Sequence, residues 1–151
     1  MTELIQDRQT TTYVVGFLFH EDVVALITKA RPAWQRGLLN GVGGHVEPEE
    51  SIHTAMMREF EEETRVVISD WQHFATLRFG FPDDLVYFFR SHAKMRHTFT
   101  SLAGEPVEWY PIQSLLFRPD INPHLKYLIP LALQTDEVTM RKKQFFNTKH
   151  E

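Results

Sequence analysis

Between Gly43 and Val66 the chain reads GGHVEPEESIHTAMMREFEEETRV, and no other stretch restricts its fold and chemistry so tightly. Ala, Met, Arg and Glu favour helix, and Glu50-Ser51 supplies a capping residue at its mouth, so Ser51–Thr64 is expected to be helical. With Glu59 as zero and an advance of about 100° per residue, Ile52, Ala55, Met56, Glu59, Glu62, Glu63 and Val66 fall within about 60° of one line. The stripe that packs on the core at the helix start therefore becomes a row of carboxylates in its second half. Glu59 and Glu63 are a like-charge i,i+4 pair, costing a few tenths of a kcal/mol in water and more when half-buried. A solvated face accounts for Glu61, placed to pair with Arg65, but not for three acids on an apolar stripe. A divalent-cation site accounts for them better, because buried carboxylates either take up protons or find a cation.

The chain has no cysteine, so thiolate metal sites and disulfides are excluded. Three carboxylates without a thiolate favour a hard cation, Mg²⁺ or Mn²⁺, over zinc. His53 lies off the acidic stripe, and both it and His45 read as surface or structural residues. Ahead of the helix, Gly41, Gly43 and Gly44 allow backbone to approach a ligand closely. Followed by a metal-binding helix they form a platform for phosphate and metal, since bound cations must reverse the field of an acidic protein before it holds a polyphosphate. Lys29, Arg31 and Arg36, in the loop KARPAWQRG, offer charge for the remaining phosphates.

The net charge of −4 argues against stable nucleic-acid binding. Seven of the 20 acidic residues lie between Glu47 and Glu63, which concentrates the charge where the cation site is expected. No apolar run reaches the length of a membrane span, and MTELIQDRQTTTY lacks the basic start and apolar core of a secretory signal. A cytoplasmic protein without membrane contact is the expectation.

At 151 residues one domain is expected. Tyr13–Phe19 and Val23–Ile27 read as a strand hairpin turned at His20-Glu21-Asp22. Leu38–Val46 suits a short strand broken by glycines; Val66–Ser69, Phe74–Phe79, Leu85–Arg90 and Val107–Tyr110 read as further strands. Phe81-Pro-Asp-Asp84 suits a turn, Leu115–Phe117 a brief apolar turn, and His124–Leu133 a second helix with Pro130 inside it. Strands with two dispersed helices imply an α/β sandwich, a mixed sheet with a helix on either side. Residues 1–11 read as a flexible N-terminus, 12–135 as the domain, and 136–151 as a basic, aromatic tail, either a free end or the contact of a homodimer.

The spacing from Gly44 through Glu50, Arg58-Glu59, Phe60, Glu62-Glu63 and Val66 resembles the Nudix box of the MutT-type hydrolases. Every fixed position of that 23-residue pattern matches except the second glycine, which is Arg65. The resemblance implies an α/β/α Nudix fold and a hydrolase of nucleoside diphosphates linked to another group. By the same resemblance Glu59, Glu62 and Glu63, helped by a carbonyl near Gly43, hold the metals, and Arg58 braces the box through Glu50. Glu59 is the first candidate for the base that takes the proton of water, and Glu105 is the best candidate for a carboxylate from a later loop. An Arg at a left-handed helix end costs about 1 kcal/mol relative to Gly. A non-catalytic nucleotide-sensing module of this fold is expected to lose glutamates rather than this glycine.

Substrate choice must come from outside the box. Asn40 in NGVGG resembles the base-reading Asn of oxidised-purine triphosphatases, Phe81-Pro-Asp a segment lining the MutT base pocket, and Asn122 a base-reading Asn ahead of the last helix. An amide both donates to and accepts from a purine edge, and an aromatic ring packs on its face. Together they imply a purine nucleoside triphosphate such as 8-oxo-dGTP. Pro82, near a position associated with ADP-ribose activity in the family, keeps ADP-ribose or a dinucleoside polyphosphate as the alternative.

Overall fold

A computed structural model describes residues 10–80 and 84–134. The strands are β1 (Thr12–His20), β2 (Val23–Thr28), β3 (Leu39–Asn40), β4 (Val42–His45), β5 (Gln72–Phe79), β6 (Asp84–His92) and β7 (Val107–Pro111). The helices are α1 (Ile52–Thr64), the single turn α2 (Ile112–Leu115) and α3 (Leu125–Ala132). The strands make one mixed sheet in the order β3-β2-β1-β6-β5, with β4 paired to β1 and β7 to β2. β1 and β6 run parallel while the other pairs are antiparallel.

The expected sandwich follows from residue alternation on these strands. Val14 and Leu18 of β1, Ala25 and Ile27 of β2 and Phe89 of β6 join Ala55, Met56 and Phe60 of α1 in one core. Phe17, Phe19, Val24, Leu26 and Phe88 point the other way, onto Leu125, Leu128, Ile129 and Ala132 of α3. The i, i+3, i+4, i+7 spacing of those four gives α3 its buried stripe. Pro130 stays on the exposed side of the helix. Buried Arg90 donates to the carbonyls of Ala132 (2.9 Å) and Gln134 (2.7 Å), closing the C-terminal end of α3. No helix among the described residues is long and apolar enough to cross a membrane.

Val66–Ser69 is not a strand: α1 ends at Arg65, and the chain then runs irregularly into β5. Ile68 and Trp71 are nonetheless buried against α1, so the apolar run marks core contact rather than pairing. Leu115 ends α2, one helical turn that continues into the apolar residues Leu116 and Phe117. Of the expected N-terminal segment, residues 1–9 lie outside the described residues, and Thr11 donates its N–H to Asp84 Oδ1 at 3.0 Å. The tail 136–151 and the turn residues Phe81, Pro82 and Asp83 also lie outside them.

Ser51 caps α1, its Oγ accepting from Thr54 N–H at 3.1 Å. At the other end Arg65 adopts φ 63°, ψ 19°, the left-handed conformation for which the Nudix pattern uses glycine. No ion pair joins Glu61 and Arg65 among the described residues; the link is backbone, Arg65 N–H to Glu61 O at 2.8 Å. Buried Thr64 helps to close this end: its hydroxyl donates to Phe60 O at 2.7 Å and accepts from Val66 N–H at 3.1 Å. Arg65→Gly is expected to stabilise the fold by about 1 kcal/mol and raise Tm by about 3 °C, relief of Cβ strain outweighing the added freedom of the unfolded chain. Calorimetry showing an unchanged or lower Tm would contradict that account.

Candidate active site

Packing turns α1 further than its apolar stripe implies. The buried side centres on Ala55, Met56, Phe60 and Thr64, because Phe60 packs edge-on against Trp71 (5.3 Å between centroids) and Phe99 (6.1 Å). Glu59 and Glu63 consequently sit half-buried at the margin, while Glu62 is 53% exposed rather than part of the buried row. α1 lies against β4, where Gly44 faces Glu59; a Cβ at Gly44 would overlap the Glu59 carboxylate, and one at Gly43 the backbone of Val14. The two glycines thus let the acidic helix and the central strand close together.

Arg58 organises the front of this site. Its Nε and Nη2 donate to the two Glu50 carboxylate oxygens at 2.7 and 2.9 Å, a two-toothed pair on a side chain only 10% exposed. Nη2 also donates to His45 O at 2.9 Å. Nη1 donates to Glu59 Oε1 at 2.9 Å and lies 3.3 Å from both Glu62 oxygens. Hydrogen bonding to Arg58 holds the Glu50 carboxyl below its usual range, and the guanidinium in turn is raised further above its already high value.

Behind Arg58 the field changes sign. Burial raises the Glu59 carboxyl despite Arg58. Burial also raises that of Glu63, followed by repulsion from Glu105 and Glu59. One oxygen of Glu63, Oε2, is buried and has no hydrogen-bond partner. Glu105 behaves oppositely. Burial works to raise it, but the Ala30 N–H (2.9 Å to Oε2), Lys29 and the Arg31 N–H outweigh burial and leave it lowered. Lys29 Nζ stands 3.5 Å from Glu105 Oε2, so this lysine is already engaged by a carboxylate.

The remaining candidates divide between edge and outside. Arg31 and Arg36 are exposed on the loop after β2. Asn40 Oδ1 accepts the Gly41 N–H at 2.8 Å, and its amide nitrogen donates to Gln35 Oε1 at 3.3 Å. Asn122 is buried, its Oδ1 accepting the His124 N–H at 3.0 Å before α3. Leu39 brings the two asparagines together: it precedes Asn40 and its carbonyl accepts the Asn122 N–H at 2.9 Å. The Tyr13 ring lies tilted against His45 (4.6 Å between centroids) and 6.4 Å from the half-exposed Phe79. His53 is exposed with its ring edge-on to Phe89 at 5.0 Å. Phe81 lies outside the described residues. Gln35 and the His45 carbonyl carry no sequence signature; Tyr13 was legible only as a strand residue.

Among the described residues no three carboxylates or imidazoles are gathered closely enough to hold an ion, since Glu59 and Glu62 both turn onto Arg58. The donor set nevertheless fits a hard divalent cation: oxygen ligands only, a buried orphan oxygen on Glu63, and a glycine notch opposite Glu59. The raised carboxyls set a sign. Glu59 and Glu63 contribute stability below the ordinary glutamate pKa and lose it as pH rises through their raised values; Glu50 and Glu105 contribute above the ordinary pKa and lose it on acidification. Added Mg²⁺ is therefore expected to raise Tm little at acidic pH and increasingly above the ordinary carboxylate range. At a hundredfold excess over Kd the gain is about 2.7 kcal/mol. A Tm gain independent of pH would remove this role for the two acids.

A mixed sheet lies between two helical layers, with an acid-rich helix seated on a glycine strand. The chain belongs to the NUDIX family: the model of the NUDIX domain matches residues 9–132, and the protein is a Nudix pyrophosphohydrolase. The family generally works with a divalent metal. Solved structures share the fold at low identity. The NUDIX domain of Shewanella oneidensis NrtR, complexed with ADP ribose, has TM-score 0.70 at 20% identity, over 87% of this chain and 95% of that one. A structure from a study of MutT from Aliivibrio salmonicida and Vibrio cholerae has TM-score 0.63 at 22% identity, over 83% and 98%. The MutT NUDIX hydrolase of Burkholderia pseudomallei has TM-score 0.69 at 17% identity, over 85% and 100%. No protein of curated function matches the chain in sequence.

Proposed function

We propose that the protein is a Mg²⁺-dependent cytoplasmic hydrolase of purine nucleoside triphosphates, 8-oxo-dGTP among them, releasing the monophosphate and pyrophosphate. The observation that carries the reading is the buried, unpartnered Glu63 oxygen beside Glu59 and Glu105, a local excess of negative charge that a cation relieves. Glu59, Glu62 and Glu63, with the Gly43 carbonyl, would hold that cation, Mg²⁺ or Mn²⁺, which would supply polarisation of phosphoryl oxygens and a lowered pKa for the attacking water.

The chain's own groups do the rest. Arg58 fixes Glu50 and aims Glu59 and Glu62 from one guanidinium. Water attacks a phosphorus, the bridging P–O bond breaks towards the leaving phosphates, and Glu59 or Glu105 takes the proton. Ala30 and Lys29 keep Glu105 ionised, whereas burial raises the Glu59 carboxyl in the direction that strengthens a general base. Lys29 and Arg31 carry charge for the phosphates, Gly44 leaves room for Glu59, and Asn40, Asn122 and Phe81 contact the base.

A second reading, ADP-ribose or a dinucleoside polyphosphate, draws on the ADP ribose held by the NrtR domain. A screen of dGTP, 8-oxo-dGTP, dATP, ADP-ribose, diadenosine polyphosphates and NADH with Mg²⁺, products identified, separates the two. Fastest turnover of a purine triphosphate to monophosphate and pyrophosphate supports the first reading, and fastest turnover of ADP-ribose or a dinucleoside polyphosphate installs the second. No turnover across the panel leaves a nucleotide-sensing module. Asn40→Ala and Asn122→Ala are expected to change relative rates among purines severalfold while the Mg²⁺ dependence stays that of wild type. Unchanged base preference in both variants would remove the purine-reading pocket.

A further inference from the structure

Trp34 stands 70% exposed at the centre of the loop between β2 and β3, and no ring or cation among the described residues stacks on it. A single exposed aromatic is ordinary on a protein surface; this one is distinguished by what its loop is tied to. At the start of the loop Lys29 and the Ala30 N–H hold Glu105, 3.5 and 2.9 Å away. At the other end Gln35, next to Trp34, accepts from the Asn40 amide at 3.3 Å. Arg31 and Arg36 flank Trp34 in sequence and are exposed as well. The loop also supports itself. Lys29 N–H donates to Leu38 O (2.9 Å), Gly37 N–H to Lys29 O (2.8 Å), Gln35 N–H to Pro32 O (2.9 Å) and Leu38 N–H to Gln35 O (2.8 Å). An indole is thus displayed on a braced loop that also carries cations suited to phosphates and, through Gln35, is tied to an asparagine suited to a base.

We infer that Trp34 is a substrate-binding residue that stacks on the nucleobase of the bound nucleotide, so that one loop supplies both the base platform and phosphate charge. The inference rests on the proposed hydrolysis of a purine nucleotide and adds a determinant of affinity outside the Nudix box. Stacking is tolerant of which base is present, so Trp34 sets how tightly nucleotides bind while the asparagines set which is preferred. An indole-to-alanine change at such a contact lowers affinity by roughly tenfold or more.

The test reads binding and turnover separately. Of the three tryptophans, Trp71 is buried and Trp109 is half-buried with its indole N–H on His97 O, which leaves Trp34 the reporter open to solvent. GMP or AMP added without metal is expected to quench fluorescence in wild type and not in Trp34→Phe. Trp34→Ala is expected to raise KM for the purine triphosphate about tenfold with kcat within twofold of wild type, and Trp34→Phe to restore most of the loss. Inhibition by inorganic pyrophosphate, which has no base, should stay unchanged in Trp34→Ala. An unchanged KM in Trp34→Ala, or pyrophosphate inhibition weakened as much as nucleotide binding, would overturn the inference. Quenching of Trp34 by GMP in a protein that hydrolyses nothing would strike the hydrolase reading and leave the stacking in place.

Discussion

Glu63→Gln is expected to lower turnover by at least about 10³-fold, roughly 4 kcal/mol of transition-state stabilisation, while raising the Tm of the metal-free protein above neutral pH. The two effects have one cause. The Glu63 carboxylate is half-buried, has an oxygen without a hydrogen-bond partner, and is repelled by Glu105 and Glu59. Removing the charge relieves the fold, and under the proposed role it also removes a ligand whose electrostatic worth appears when the cation and phosphates are bound. A residue chosen for stability does not behave in this way, so the sign of the Tm change is as informative as the lost rate. Thermal scans at neutral and alkaline pH, beside single-turnover rates, measure both. A destabilised Glu63→Gln would mean that the carboxylate is structural.

Arg58→Ala is expected to be costly in the opposite sense, losing about 2–3 kcal/mol of stability and about 10- to 100-fold in turnover. It removes the two-toothed partner of the nearly buried Glu50 and leaves that charge behind. It also frees the Glu59 and Glu62 carboxylates and the His45 carbonyl that share the guanidinium. Arg58→Lys should recover little, because an ammonium cannot reproduce the fork that spans Glu50 and His45. Denaturant unfolding with the slope held constant measures the first loss; recovery of full stability by the lysine variant would contradict the geometry.

These expectations depend on features of unequal legibility. The cap at Ser51, the helix behind it and the strand pairs around Tyr13–Phe19 follow from local pattern, since alternation and helix propensity act over a few residues. The phase of α1 does not. Its stripe put Glu62 with Glu59 and Glu63, whereas the Phe60 ring packs on Trp71 and Phe99, both remote in sequence, and turns Glu62 out to solvent. Val66–Ser69 reads as a strand because its apolar residues are core residues, but a strand needs a partner edge, which local composition does not encode. Glu105 was legible only through the family resemblance; its proximity to Lys29 and Ala30 comes from β7 pairing with β2. The link between Gln35 and Asn40 has no local signature, so the surroundings of the base-reading candidates emerge only in three dimensions.

Under the proposed function the three box glutamates make the protein a metal-dependent nucleotide hydrolase. Glu62 is the glutamate on which to try this, because that side chain is more than half exposed and its neutralisation leaves the core untouched. Pyrophosphate release from a purine nucleoside triphosphate, followed against Mg²⁺ concentration in wild type and in Glu62→Gln of equal Tm, is the measurement. Saturable Mg²⁺-dependent release is expected in wild type, with a loss of two or more orders of magnitude in the variant. Equal rates in the two proteins, or release in wild type that does not depend on Mg²⁺, would contradict the proposed function.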